Sequence, residues 1–157
     1  MNRLMTEYYP TFAHYQSLRD QMLELLTDAD LNYQPSAANA TLGTLCREIG
    51  ETQYGYIESF KAWQHDFSYH NPEPMLTQHI ATLKEWYAKL DSDLHAVIEA
   101  LSDDDLTKTI DRGGWSLPVT AQLDVYKEAL LIFYGKADVY LKMLGKPLTE
   151  QWREWIA

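Results

Sequence analysis

The sequence has 157 residues, 46% hydrophobic and 13% aromatic, with 13 Lys+Arg against 23 Asp+Glu for a net charge of −10. That is enough apolar matter for one folded domain over residues 1–157, too acidic to favour a phosphate backbone, and nowhere close to the ~18 consecutive apolar residues of a membrane span. A single cysteine, Cys46, excludes an intrachain disulfide and any multi-cysteine metal knuckle, and with no apolar leader after Met1 the expected location is the cytoplasm.

Near the N-terminus Met5, Tyr8, Phe12, Tyr15, Leu23 and Leu26 recur at helical spacing, so a first helix is expected there, bent or interrupted at Pro10. Gln16 and Arg19 fall on the same inward arc. Asn32–Ala40, with Pro35 and Ser36, reads as a connection. Residues 41–64 form the second expected helix, with Leu42, Leu45, Ile49, Tyr56, Phe60 and Trp63 on one face and Thr41 as its cap. Gln53 falls near the centre of that face. Cys46 lies close to it and is expected to be an inert buried thiol. Glu48 stands about 120° from the centre of the stripe, at the border between core and water.

His65–Pro74 reads as a loop carrying His65, Asp66 and His70. Residues 75–101 carry the clearest stripe, from Leu76 and Ile80 through Leu83, Tyr87, Leu90 and Leu94 to Ile98 and Leu101. Lys84, Glu85, Lys89, Asp91 and Asp93 fall outside it and are expected to be solvated. His79 sits at its edge, as a structural histidine would. Ser102–Gly114 is a connection that closes on Gly113-Gly114. Residues 117–144 complete the set, with Val119, Leu123, Tyr126, Leu130, Phe133, Ala137, Leu141 and Leu144 on one side. Pro118 suits a first turn, and Gly145 with Pro147 supplies a stop. The tail 147–157 is expected to make a short amphipathic turn whose sticky side is Trp152, Trp155 and Ile156. No segment alternates, so no sheet is expected. The expected fold is an all-α four-helix bundle. Its connections of about 9–13 residues exceed the usual 2–8, so at least one should cross an end of the bundle.

Two stretches carry a resemblance. Leu42-Gly43-Thr44-Leu45-Cys46-Arg47-Glu48-Ile49 resembles the start of the second helix in the DinB-like superfamily, and Ala129–Lys136 followed by Tyr140–Gly145 resembles its fourth helix. The resemblance implies a DinB/YfiT-like bundle, dimers in many members, and a group that includes metal-dependent thiol transferases. It also implies a three-histidine metal site at the positions of Glu48, Ala129 and Phe133. One carboxylate, a methyl group and a phenyl ring are not a ligand set for a divalent ion. The expectation is therefore a member with a degenerate metal site, no metal and no cofactor. Without a metal, thiol transfer would need another means of lowering a thiol's pKa.

The remaining candidates are Arg19, Gln53 and Tyr126, which with Glu48 and Phe133 make up the pocket residues. A buried guanidinium is costly without a carboxylate, and a buried amide without partners costs on the order of 1–3 kcal/mol. Two readings stay open. Arg19 snorkels to a bundle end while Gln53 bonds a tyrosine hydroxyl, or the two line a polar cleft for an anionic group. No His-x-x-x-His pair, G-x-S-x-G or phosphate-cradling loop is present. Function is accordingly expected to be non-catalytic, by binding a small molecule or by self-association. The alternative is a divergent, metal-independent transferase using Glu48 and tyrosines. A homodimer is expected to use Trp152 and Trp155, with Trp63, unless the tail folds back on its own subunit. No nucleic-acid or membrane partner is expected.

Overall fold

The computed structural model describes residues Met1–Ala157. Five helices form: α1 (Tyr9–Leu25), α2 (Leu42–Ala62), α3 (Ile80–Glu99), α4 (Val119–Met143) and the short α5 (Glu150–Trp155). The first four pack as a bundle. Helix pairs α2–α3, α2–α4 and α1–α4 share long contacts, α1 meets α3 briefly, and α1–α2 and α3–α4 lie diagonally. Both diagonal pairs are consecutive in sequence, so two connections cross the ends of the bundle. The connections over 26–41 and 100–118 make these crossings, whereas the similarly long 63–79 joins two neighbouring helices.

Local chemistry sets the element ends. The helical run changes character just before Pro10, from a single π-turn over Leu4–Tyr8 to α1, whose first turn the proline occupies. Thr41 caps α2 by accepting from the Thr44 amide, and Trp63 in the left-handed region ends that helix. The expected helix over 75–101 is two elements. Leu76 lies in a separate 3-10 turn, Pro74–Thr77, and α3 begins only at Ile80, whose amide donates to Asp28. Because 3-10 and α turns both bring every third or fourth residue inward, the stripe alone runs through the break.

The connection between α3 and α4 holds a feature that the sequence reading lacks. Strands β1 (Thr109–Asp111) and β2 (Ser116–Pro118) pair antiparallel, with Ile110 opposite Leu117. Pro118 thus ends a strand and stands at the N-cap of α4, one residue before the helix begins. Gly113 and Gly114 both take positive φ at the turn, which a side chain would resist. Three-residue strands leave no detectable alternation. The backbone of Trp63–His65 joins this hairpin, with the His65 amide donating to the Asp111 carbonyl at 2.7 Å.

The tail folds back on its own subunit. Thr149 caps α5, Trp152 is buried against Tyr134 of α4, and its indole N–H donates to Asp138. Trp155 packs on Tyr15 of α1 but stays 42% exposed, and Lys108 rests over the half-buried Trp63.

Candidate functional site

Arg19 neither snorkels nor lines a cleft. It is fully buried in the centre of the bundle, where Nη2 donates to Asp91 at 2.6 Å and Nη1 to the Gln53 side-chain oxygen at 2.5 Å. Gln53 bonds no tyrosine; its amide nitrogen donates to Asp91, as does that of Gln16. The Tyr87 ring lies beneath the guanidinium at 4.1 Å. Burial alone would lower the Arg19 pKa, but Asp91, with Asp20, holds it above its ordinary value. Asp91, read as solvated, closes the network with a side chain only 30% exposed. Asp91 Oδ1 accepts from Gln16 and Gln53 and Oδ2 from Arg19, so the cluster ties α1, α2 and α3 together. Arg19 itself is sealed in the core, and only the outer edge of Asp91 borders a surface cavity of about 260 Å³ with Asp20, Glu24 and Lys84.

Tyr126 is also a core residue, stacked on Tyr56 with its ring against Phe12 and its buried hydroxyl unpartnered. Burial pushes its pKa well up, as it does that of Cys46, to about 12. Neither is poised for proton transfer at neutral pH.

Glu48 and Phe133 do come together. They line a cavity of about 260 Å³ between α2, α4 and the loop after α2, with Glu51, Asp66, Phe67 and Tyr69. Gly55 of α2 forms part of its wall, because a Cβ there would stand 3.1 Å from the His65 ring. Three carboxylates therefore share one small space with three aromatic rings. Glu51 is held by Arg47 at 3.2 Å and His70 at 3.0 Å, and Asp66 accepts from the Ser68 amide. Glu48 has no such partner, and its charge helps raise the Tyr140 pKa, behind burial. No three His, Cys, Asp or Glu side chains converge to hold a metal ion. At the positions where the resemblance would place three histidines, the donor chemistry of Glu48, Ala129 and Phe133 does not fit one.

Behind the cavity lies a second polar cluster that the sequence reading missed. Arg112, on the hairpin, is 9% exposed; its Nη1 donates to Gln122 at 2.8 Å and to His65 Nδ1 at 3.0 Å. Gln122 in turn donates to Ser59 and to the same His65 nitrogen. Arginine cannot accept, so Nδ1 is the acceptor and the imidazole proton sits on Nε2. Burial, and then Arg112, pulls the His65 pKa down to about 4. The members of this cluster come from positions 59, 65, 112 and 122, too scattered for any spacing rule. The signal available was Gly113-Gly114 beside a charged residue and a tryptophan.

The DinB superfamily sequence profile matches residues 13–134. A DinB-like protein from Bacillus cereus ATCC 10987 superposes with a TM-score of 0.74 at 21% identity, over 90% of this chain and 93% of that one. A DinB-like protein from Bacillus subtilis gives 0.69 at 16% identity, over 92% and 93%. The mycothiol-dependent maleylpyruvate isomerase gives 0.60 at 14%, over 77% of this chain and 55% of that one. At such identities the likeness concerns the fold. No curated protein matches the sequence significantly.

The depressed His65 pKa predicts a specific acid sensitivity. Unfolded His65 protonates near 6.5 and folded His65 only near 4, so its stabilising share is whole above 6.5 and is lost as pH falls to 4. Melting temperature should decline across that window, and His65→Gln should flatten part of the decline. An unchanged slope in the variant would contradict the assignment.

Proposed function

The chain belongs to the DinB superfamily, and from that premise we propose that it is a non-catalytic binding protein whose acidic, aromatic-lined cavity takes a small organic cation. The observation that carries this reading is the pairing of an unneutralised Glu48 with the Phe133 ring, backed by Asp66, Phe67 and Tyr69. Carboxylates attract an ammonium, and aromatic faces stabilise one by cation–π contact worth about 0.5–2 kcal/mol. The chain contains an example: Lys136 places its ammonium 5.4 Å from the Phe133 centroid. The volume lies below the ~300–1,000 Å³ of pockets for drug-sized ligands, so the occupant is small. A transferase using Glu48 and a tyrosine is less well supported, because burial raises the Tyr69 pKa, away from the range useful for acid–base work.

Calorimetric titration with n-butylammonium and tetramethylammonium tests the reading. Saturable binding is expected, weakened about tenfold by Glu48→Gln (~1.4 kcal/mol), with no binding of n-butanol. Equal binding of the neutral probe, or stoichiometric retention of nickel or zinc lost on Glu48→Ala, would overturn it.

Self-association is supported by a different feature, the outer face of α4. Val125, Ala129, Ile132, Lys136, Val139 and Met143 are spaced alternately by four and three, the interval of a coiled-coil seam. Ile132, Val139 and Met143 are 63%, 51% and 64% exposed. The occupant that fits is α4 of a second copy, antiparallel about the exposed Gly135, which sets Glu128 opposite Lys142 of the partner subunit. Sedimentation should give a dimer at tens of micromolar (on the order of a weak interface's Kd) and a monomer for Ile132→Asp/Met143→Asp. A monomeric wild type, or a variant that still dimerises, would remove this reading.

A further inference from the structure

The chain buries two arginines and treats them differently. Arg19 has Asp91 at 2.6 Å and Asp20 at 3.2 Å. Arg112, 9% exposed, has no carboxylate within ion-pair distance; the neighbouring Asp111 turns its carboxylate to the Gly113 amide instead. A buried charge with no counter-charge is costly, and its hydrogen bonds to neutral groups offset only part of that cost. The unused donors lie on one edge. Nη1 is spent on Gln122 and His65, whereas Nη2 has only a long 3.4 Å contact with the Tyr56 hydroxyl and Nε has no acceptor at all. Nε–H and Nη2–H run parallel and are 'the fork' by which a guanidinium grips an oxyanion through two bonds.

Three aromatic rings pack on the guanidinium; Tyr56, 5.5 Å from its carbon, is buried, and the other two are open to solvent. Phe67 and Trp115 lie 5.0 and 5.2 Å from the guanidinium carbon, yet are 66% and 54% exposed. Trp115 follows Gly113 and Gly114, both at positive φ with open space around them, so its backbone is set in a turn of small residues. Phe67 stacks on His65 and has no other aromatic partner than the cluster itself.

We infer that Arg112 anchors a small-oxyanion site, in which a carboxylate or phosphate group seats on the Nε–Nη2 edge once Trp115 swings away from the guanidinium. The anion supplies the charge that the fold omits. Gln122 and His65 fix the guanidinium from the other side, so the fork is already oriented before the ligand arrives. The site shares His65 and Phe67 with the acidic cavity, but the donors it uses belong to Arg112, which does not line that cavity, so it does not depend on cation binding there.

The test is calorimetric and fluorimetric titration of the full chain with phosphate and with acetate, at ionic strength held constant by potassium chloride. Wild type is expected to bind at least one of them saturably, with a change in tryptophan emission that is missing in Trp115→Phe. Phosphate alone would mark a phosphoryl site and acetate alone a carboxylate site; either supports the inference. Arg112→Gln should weaken binding at least tenfold, and Arg112→Lys, which keeps the charge without the fork, by an intermediate factor. Trp115→Ala, at an exposed position, leaves Arg112 in place and should bind several-fold more tightly. Failure of both wild type and Trp115→Ala to bind either anion would overturn the proposal, as would undiminished binding by Arg112→Gln.

Discussion

The bundle depends on one buried charge. A guanidinium moved out of water needs a carboxylate and a full set of acceptors, and Arg19 on α1 can find them only if α2 brings Gln53 and α3 brings Asp91 to the same point. Three helices are thereby set in register. Apolar stripes can slide by a turn and still bury the same area, but this network cannot. The Tyr87 ring under Arg19 passes the constraint on, since its hydroxyl donates to the Cys46 carbonyl of α2. Specificity of this kind, more than raw stability, is the best-attested use of a buried ionic group.

The same accounting separates structure from function elsewhere in the chain. Where a buried polar group is fully satisfied, as around Arg19, it holds the fold. The buried Arg112 Nε has no acceptor, and the half-buried Glu48 carboxylate beside the cavity has no ion-pair partner; these are the two places where we propose that a ligand completes what the chain leaves open. The two incomplete sites sit on either side of His65, whose Nδ1 is committed to Arg112 and whose ring lines the acidic cavity. A cation on one side and an anion on the other would suit the opposite charges of these walls.

Long helices with one apolar face were legible because burial imposes the same period over many turns; α2 and α4 emerge within two or three residues of their expected ends. Short elements were not. The strands around Gly113-Gly114 are three residues each, and the 3-10 turn at Pro74–Thr77 keeps Leu76 in phase with α3 across the break. Glu48 and Phe133 could be paired from the resemblance, because both occupy positions of one motif. Asp91 was misjudged because angle on a helix says where the Cβ lies, not where a carboxylate reaches, and Arg19, Gln16 and Gln53 were already three inward donors in want of an acceptor. The His65–Arg112–Gln122 cluster is assembled by two loops and a helix, and no local pattern encodes such an encounter.

The central claim is that Arg19 and Asp91 act as one unit that registers the helices, and a double-mutant cycle by chemical denaturation tests it most directly. Asp91→Leu alone should cost about 3–5 kcal/mol, because it leaves a buried guanidinium without its main counter-charge. Adding Arg19→Met should recover part of that loss, giving a coupling of at least ~2 kcal/mol. Effects that add within ~0.5 kcal/mol, which is the behaviour of independent sites, would contradict it.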